Sequence, residues 1–320
     1  MSDSGAVRQW GRVAEVIIGK GGSGIKVTNL RIQFEVVKTV DHTPNKALIH
    51  IFNLSPENEA KIKKEYTDIY LNAGYKDNLK LVFTGNIVHV FRYREGNDFI
   101  TEIEAADGDY DYRNAFVNTV LASGTTNADV VDQVGKTFSN TANNGVKEIS
   151  GAARTRGKVL VGNSRDILHK VANQSGANWS IQDGVLQIIK TDSLLPNEAI
   201  VVNAMTGMLG SPEINEDGIT VKYLMNPNTR ANGALKLDNG SIKLKAQKVG
   251  ETKKGNQLTG TTVDSSNFPE SDKITKLDSD GIYKVLKLTH KGDTRSQTWQ
   301  TEALCVALGG RSTVSKGKAK

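Results

Sequence analysis

Residues 281–308 read GIYKVLKLTHKGDTRSQTWQTEALCVAL, two runs of alternating side chains on either side of a polar turn. In the second run Trp299, Thr301, Ala303, Cys305 and Ala307 share one face, and Gln300, Glu302, Leu304, Val306 and Leu308 share the other. A period of two is the signature of a strand. Both faces turn apolar toward its end, so this strand is expected to be covered on both sides. Just upstream, residues 234–245 read ALKLDNGSIKLK, with Asn239-Gly240 between two alternating runs. Both residues of such a turn must accept positive φ, and Asn-Gly does so readily, which predicts a second hairpin. The chain reads as a builder of antiparallel sheet.

The same patterning extends back to the N-terminal part. In residues 31–37, Ile32, Phe34 and Val36 alternate with Arg31, Gln33 and Glu35. Residues 47–54, 79–91 and 99–105 continue as strands. One helix interrupts them, announced by Ser55 as N-cap, Pro56 at the first helical position and Glu57 in the first turn. It is expected to run to about Tyr66 with Ala60 and Ile62 facing inward. Strands with a single short helix suggest a closed or nearly closed barrel.

From about Asp107 the period changes. Residues 111–122 and 127–138 have helical spacing, the latter through Val130, Val131, Val134 and Phe138. A third helix starts near Asn163-Ser164 and stops at Gly176. Residues 178–181 and 185–189 then form a hairpin across Gln182-Asp183-Gly184, and residues 145–157 read as a polar loop. From about residue 194 the strands return, clearest at 221–224, 235–237, 242–244, 283–289 and 298–308. Residues 248–276 are polar and rich in Gly, Ser, Thr and Asn, a long exposed loop of the kind that serves function or moves.

The expected fold is therefore a β-rich α+β protein: two similar β-barrel domains separated by a small α+β insert domain. The expected boundaries are 1–106 for the first barrel, 107–193 for the insert, 194–308 for the second barrel and 309–320 for a basic disordered tail. A chain of 320 residues is long enough for two or three such units.

Composition narrows the partners. Of the net charge of +6, four charges come from Arg311, Lys316, Lys318 and Lys320 in the acid-free tail, leaving a body near +2. A nearly neutral body does not carry the basic footprint of a nucleic-acid binder. No apolar run reaches the roughly 18 residues of a transmembrane helix, so no membrane insertion is expected. The start, MSDSGAVRQWGRVAEV, lacks the layout of a signal peptide, so the chain is expected to be made and first folded in a cytoplasm. Cys305 is the single cysteine, and in a strand pattern it is expected to be a buried, inert thiol.

Residues that invite chemistry point elsewhere on inspection. Gly19 to Gly24 (GKGGSG) puts its lysine second, where a phosphate loop needs it just before Ser or Thr, and strands rather than a helix follow, so it reads as a hairpin tip. Asp107, Asp109 and Asp111 occupy positions 1, 3 and 5 of a would-be calcium loop. Tyr112 and Asn118 stand where Gly and Glu are needed, leaving an acidic strand-to-helix junction. His42, His50, His89, His169 and His290 show no metal-ligand spacing, and none accompanies a nucleophile motif. Trp10, Trp179 and Trp299 are expected in the core. No catalytic, cofactor-binding or metal residue is assigned, and no cofactor is expected.

Three groups of residues, in order, carry a family resemblance. Phe83-Thr84-Gly85-Asn86-Ile87 is followed by the strand at 99–105 and by Asp107-Gly108-Asp109. Thr206-Gly207-Met208-Leu209-Gly210-Ser211-Pro212 precedes a strand ending in Leu224-Met225-Asn226-Pro227. Tyr283 and Val285, then His290, Gly292-Asp293 and Trp299 close the pattern. Together they resemble the baseplate hub family of contractile-tailed bacteriophages, which includes the late-control D proteins and is related to the base of type VI secretion spikes.

The resemblance implies a non-enzymatic structural hub, a homotrimer whose two barrels per chain make a pseudo-sixfold ring. Such a ring joins the sixfold tail tube protein to the threefold central spike protein and leaves a channel for the tape-measure protein and DNA in transit. Baseplate wedge proteins are further expected partners, through the insert or the 248–276 loop. The expected location is the virion tail baseplate, assembled in the bacterial host cytoplasm. Alternate residues of 221–224 and 283–289 are the expected trimer-interface positions. A tail-associated cell-wall-degrading enzyme would instead use Glu102, Glu104, Asp107 and Asp109, the one dense acidic group, and a carbohydrate-binding tail adhesin would cluster aromatics on loops.

Overall fold

The computed structural model describes residues 10–215, 217–237, 243–244 and 281–307. The 248–276 loop and the 309–320 tail lie outside the described residues, as does the Asn239-Gly240 turn.

The first third contains β1 (Arg12–Lys20), β2 (Ser23–Val27), β3 (Ile32–Thr39), β4 (Lys46–Phe52), α1 (Pro56–Lys64), β5 (Asp68–Tyr75), β6 (Asn78–Glu95) and β7 (Asp98–Ala106). GKGGSG is a hairpin tip, as expected: Gly21 and Gly22 turn the chain at φ +58° and +87°, and Lys20 pairs with Ser23. The 18-residue β6 pairs with β5 over its first half and with β7 over its second. The changeover falls at Asn86, which is registered with both Asp68 and Ala106. Gly85 makes it possible, because a Cβ there would lie 2.5 Å from the Ala106 carbonyl oxygen. Helix α1 begins at the Ser55 cap, but Ala60 is exposed. Glu59 turns inward instead, held by Lys63 and Arg92 at 2.7 Å each.

The middle third contains α2 (Asp109–Asn114), β8 (Phe116–Leu121), α3 (Asn127–Gly135), β9 (Lys158–Asn163), α4 (Ser164–Gln174), β10 (Ala177–Gln182) and β11 (Val185–Lys190). Helices α3 and α4 and the β10–β11 hairpin stand where the sequence puts them. The helix expected over 111–122 does not: it stops at Asn114 and a strand follows. Val117, Thr119 and Val120 are β-branched and favour extended backbone, and β8 pairs with β9, a strand the sequence reading missed.

The last third contains β12 (Ile200–Val202), the 3-10 turn η1 (Ala204–Thr206), β13 (Glu213–Asn215), β14 (Gly218–Leu224), β15 (Ala234–Leu237), β16 (Lys243–Leu244), β17 (Ile282–Asp293) and β18 (Trp299–Ala307). The β17–β18 hairpin is as expected. Among the described residues, the strands on either side of Asn239-Gly240 do not pair with each other. Strand β15 lies against β12 and β17, and β16 lies parallel to β13. On β18 the Trp299 face is fully buried, while Gln300, Glu302, Leu304 and Val306 on the other face are half-buried, so cover is complete on one side and partial on the other.

The protein is mostly antiparallel β, but the described strands close no barrel. Fourteen strands form one sheet, in which β3 and β17 pair from Gln33–Asp293 to Thr39–Lys287. Three apolar cores follow the chain in order. One lies under the first seven strands and also takes Met225 and Trp299, one lies in the middle third around Trp179, and one lies around Tyr223, Tyr283 and Leu288. Each fully buried Ile or Leu in them is worth roughly 1.5–3 kcal/mol over exposure.

Candidate functional site

The closing motif, His290, Gly292, Asp293 and Trp299, lies at or against the seam where the first and last thirds share a sheet. Gly292 on β17 faces Phe34 on β3, and a Cβ at Gly292 would come within 2.4 Å of the Phe34 ring and 2.8 Å of Trp299. The missing side chain lets the Phe34 and Trp299 rings meet edge to face, centroids 5.6 Å apart at 79°. The next residue, Asp293, takes a forked pair of hydrogen bonds from Arg31, Nη2 to Oδ2 at 2.7 Å and Nε to Oδ1 at 3.2 Å. Burial alone would raise the Asp293 pKa, but the Arg31 hydrogen bond and charge and the backbone N–H groups of Arg295 and Ser296 hold it below the usual value. His290, two residues before Gly292, is buried and its Nδ1 lies 2.8 Å from Thr301 Oγ1. Burial pushes its pKa down to about 3, with Lys38 adding to the effect, so the ring is neutral near pH 7.

A second junction joins all three thirds at the tip of the β10–β11 hairpin. Asp183 and Gly184 turn the chain with φ +54° and +77°. The Asp183 carboxylate accepts from Lys38 Nζ of β3 at 2.5 Å and from Arg230 Nη1 at 3.3 Å. The backbone N–H groups of Asp183 and Gly184 donate to the two oxygens of Asp107, at 2.6 and 2.9 Å. Asn45 donates to the Ile181 carbonyl at 2.9 Å, and Gln182 donates to the Thr39 carbonyl at 2.7 Å. Lys284 of β17 donates to the carbonyls of Lys190 and Thr191, at 3.0 and 3.2 Å. Burial lowers the Lys284 pKa to about 8 against the pull of Glu148 and Asp192.

The three aspartates of the would-be calcium loop separate here. Asp107 is buried under the hairpin tip, Asp109 pairs with Arg113 at 2.9 Å, and Asp111 accepts from Ser139 and Asn140. Gly108 at φ +63° makes the turn between strand and helix. Burial, with the nearby Asp183 charge second, raises the Asp107 pKa to about 7. Asp107 and Asp68 border a cleft of about 190 Å3. Both Asp107 oxygens accept backbone N–H groups, so the carboxyl braces the turn. Glu102 and Glu104 lie on one strand face, with Glu102 accepting from His50 at 2.9 Å. No group of three or more His, Cys, Asp or Glu able to hold a metal occurs among the described residues.

Other placements are plain. Trp179 and Trp299 are buried, but Trp10 is 55 % exposed, with Lys76 Nζ 5.3 Å from its ring centroid. His42 and His169, far apart in sequence, lie with ring centroids 4.4 Å apart and planes tilted by 45°. Cys305 is fully buried and burial raises its pKa. The inward residues of the two strands expected at an interface, Val221, Tyr223, Tyr283 and Val285, are core. The seam partners Lys38, Asn45 and Arg230 were not singled out from the sequence; the strand read over residues 31–37 stops one residue before Lys38.

A family model, Baseplate hub gp41, matches residues 14–241, more than half of the chain and across the seam's first strand. The chain belongs to this baseplate hub family. The family is one of structural phage tail proteins, so the hub chain is a tail protein of the virion. Solved structures share the fold at low identity. The 43 kDa tail protein of prophage MuSo2 from Shewanella oneidensis is 8 % identical, with a TM-score of 0.57 over 93 % of the hub chain and 99 % of that protein. A tail protein from Neisseria meningitidis MC58 is 10 % identical, with a TM-score of 0.57 over 94 % and 98 %. A component of the E. coli type VI secretion system that itself resembles the T4 tail proteins gp27 and gp5 is 8 % identical, with a TM-score of 0.54 over 91 % and 76 %. No curated protein matches the sequence.

Proposed function

We propose that the hub chain trimerises into a pseudo-sixfold ring that joins a sixfold tail tube to a threefold central spike and leaves a channel for tape-measure protein and DNA. In this reading residues 1–106 and 194–308 are two tube-like domains, residues 107–193 are an accessory domain, and assembly takes place in the host cytoplasm. The observation that carries it is the β3–β17 seam, seven residue pairs long, between two β-rich parts with separate cores. Two sheet-forming units welded edge to edge in one chain let three chains imitate six subunits. A rotational ring of this kind closes through head-to-tail interfaces.

Wedge proteins are assigned to the accessory domain. The near-neutral body suits a passage, because a strongly basic lumen would retain phosphates. No catalytic or cofactor residue is assigned; of the four acidic residues that might act, Glu102, Asp107 and Asp109 are engaged by backbone or side-chain donors.

Light scattering over a dilution series tests the assembly, followed by imaging with the tube and spike proteins. Trimers and sixfold-looking rings support the reading, while chains that bind neither tube nor spike sink it. Peptidoglycan cleavage that is lost in Asp107→Ala or Glu104→Ala would replace it with the enzyme reading.

A further inference from the structure

The Lys38–Asp183 contact brings an amine and a carboxyl together where water is scarce. Lys38 is on the inward face of β3, two residues after buried Val36 and registered with buried Leu288 of β17. Its Nζ lies 2.5 Å from Asp183 Oδ1, and both side chains are nine-tenths buried or close to it. In Lys26–Glu15, Lys63–Glu59 and Lys291–Glu35, by contrast, the lysine reaches well into solvent. A pair in water stays ionic. A buried pair has lost the hydration that keeps both charges, which favours passing the proton from ammonium to carboxylate. That leaves a neutral amine against a neutral carboxylic acid, a nucleophile beside an electrophile.

Two neighbours supply what a condensation needs. Arg230 Nη1 reaches the other Asp183 oxygen, Oδ2, at 3.3 Å, where a donor steadies the negative charge of a tetrahedral intermediate. Asp107 accepts the backbone N–H of Asp183 itself at 2.6 Å and feels the charges of both Asp183 and Lys38. Burial raises its pKa to about 7, so it exchanges a proton readily near neutrality. The reacting groups are also held still. Asp107 fixes the N–H groups of Asp183 and Gly184, and Asn45 and Gln182 tie the preceding residues to the seam. Little entropy remains to be lost on the way to attack.

We propose that Lys38 and Asp183 form an intramolecular isopeptide bond, with Asp107 carrying the proton and Arg230 steadying the oxyanion. Lys38 first gives a proton to Asp183 Oδ1. The freed amine attacks Cγ, and the new N–C bond pushes charge onto Oδ2, beside Arg230. Asp107 takes a second proton from the nitrogen and returns it to Oδ1. The C–Oδ1 bond then breaks, water leaves, and Oδ2 becomes the amide carbonyl. No oxidant or cofactor is needed, and the reaction runs once per chain. The bond ties the seam strand to the hairpin of the middle third across 145 positions, a long closed loop of the kind that most constrains an unfolded chain. It keeps the hairpin on the seam even when the hydrogen bonds around it open, and it does not depend on the ring reading.

The experiment weighs the full chain, purified and then denatured, by intact mass spectrometry. The wild type should be lighter than its sequence by the mass of one water. Its tryptic digest should contain a branched peptide that joins Lys38 to Asp183. Lys38→Arg keeps the positive charge but offers no free amine, and it should return the chain to full mass. Asp107→Ala should leave most chains at full mass, with a urea midpoint recorded to show that the variant is folded. A wild-type chain at its full sequence mass overturns the bond, whatever the variants do. A missing water that survives Lys38→Arg places the loss elsewhere, such as an imide at Asp183-Gly184, and overturns it as well. Undiminished cross-linking in Asp107→Ala overturns the proton-carrying role.

Discussion

Lys38 and Asp183, 145 positions apart, meet at 2.5 Å with their side chains only 6 % and 10 % exposed. The ion pair fastens the hairpin tip of the middle third to the seam strand β3. Asp183 also takes Arg230 from the last third, so one carboxylate touches both neighbours of the hairpin.

Removing one partner of a buried pair leaves an unmatched charge, which costs more than the pair itself contributes. Asp183→Ala should therefore lose about 3 kcal/mol of stability in urea unfolding. Lys38→Met combined with Asp183→Leu should lose clearly less than Asp183→Ala. Equal losses in the two would show that the charge pair is not what holds the tip.

At Gly292 the neighbours leave no room for a methyl group. Gly292→Ala should destabilise by about 1–3 kcal/mol through overpacking against Phe34 and Trp299. Adding Phe34→Leu should recover part of that loss. Thermal unfolding of the three variants decides it, and a neutral Gly292→Ala would refute the close fit.

His290 gives the seam an acid limit. Its folded pKa, about 3, lies below the ordinary value of 6.5. The folded state thus excludes a proton that the unfolded chain binds. The stabilising effect is complete above pH 6.5 and is lost as pH falls toward 3. His290→Gln should flatten the fall in stability over that window, measured by urea midpoints at a series of pH values. A parallel fall in wild type and variant would place the acid sensitivity elsewhere.

Cys305 should be silent to thiol reagents in the native protein. Burial leaves it protonated and out of reach. Ellman's reagent should titrate one thiol only after denaturant is added, and rapid native labelling would contradict the buried placement of β18.

Much of the local structure was legible because it depends on neighbours in sequence. The period of two in β3, β17 and β18, the Ser55 cap, the Gly21-Gly22 turn and the Asp183-Gly184 turn all follow from backbone preferences a few residues long. Where local signals competed, the reading failed. Residues 111–122 carry a helical spacing, but β-branched Val117, Thr119 and Val120 went to a strand once β9 supplied a partner. Ala60 looked inward by its chemistry, yet Glu59 took the inward position because Arg92 of β6 was there to neutralise it. The two runs flanking Asn239-Gly240 look like partners, but each found another strand.

By itself, the sequence determined that this chain would be antiparallel sheet with a helical interruption, and its ordered motifs placed it near the baseplate hubs. Only the tertiary structure decided that the sheet runs unbroken from one half to the other and that Lys38, Asp107, Asp183 and Arg230 gather at one point. Hydrogen-bond partners between strands and charge partners between cores are set by proximity in space between residues 47 to 145 positions apart at this junction. No local periodicity encodes which edge will meet which.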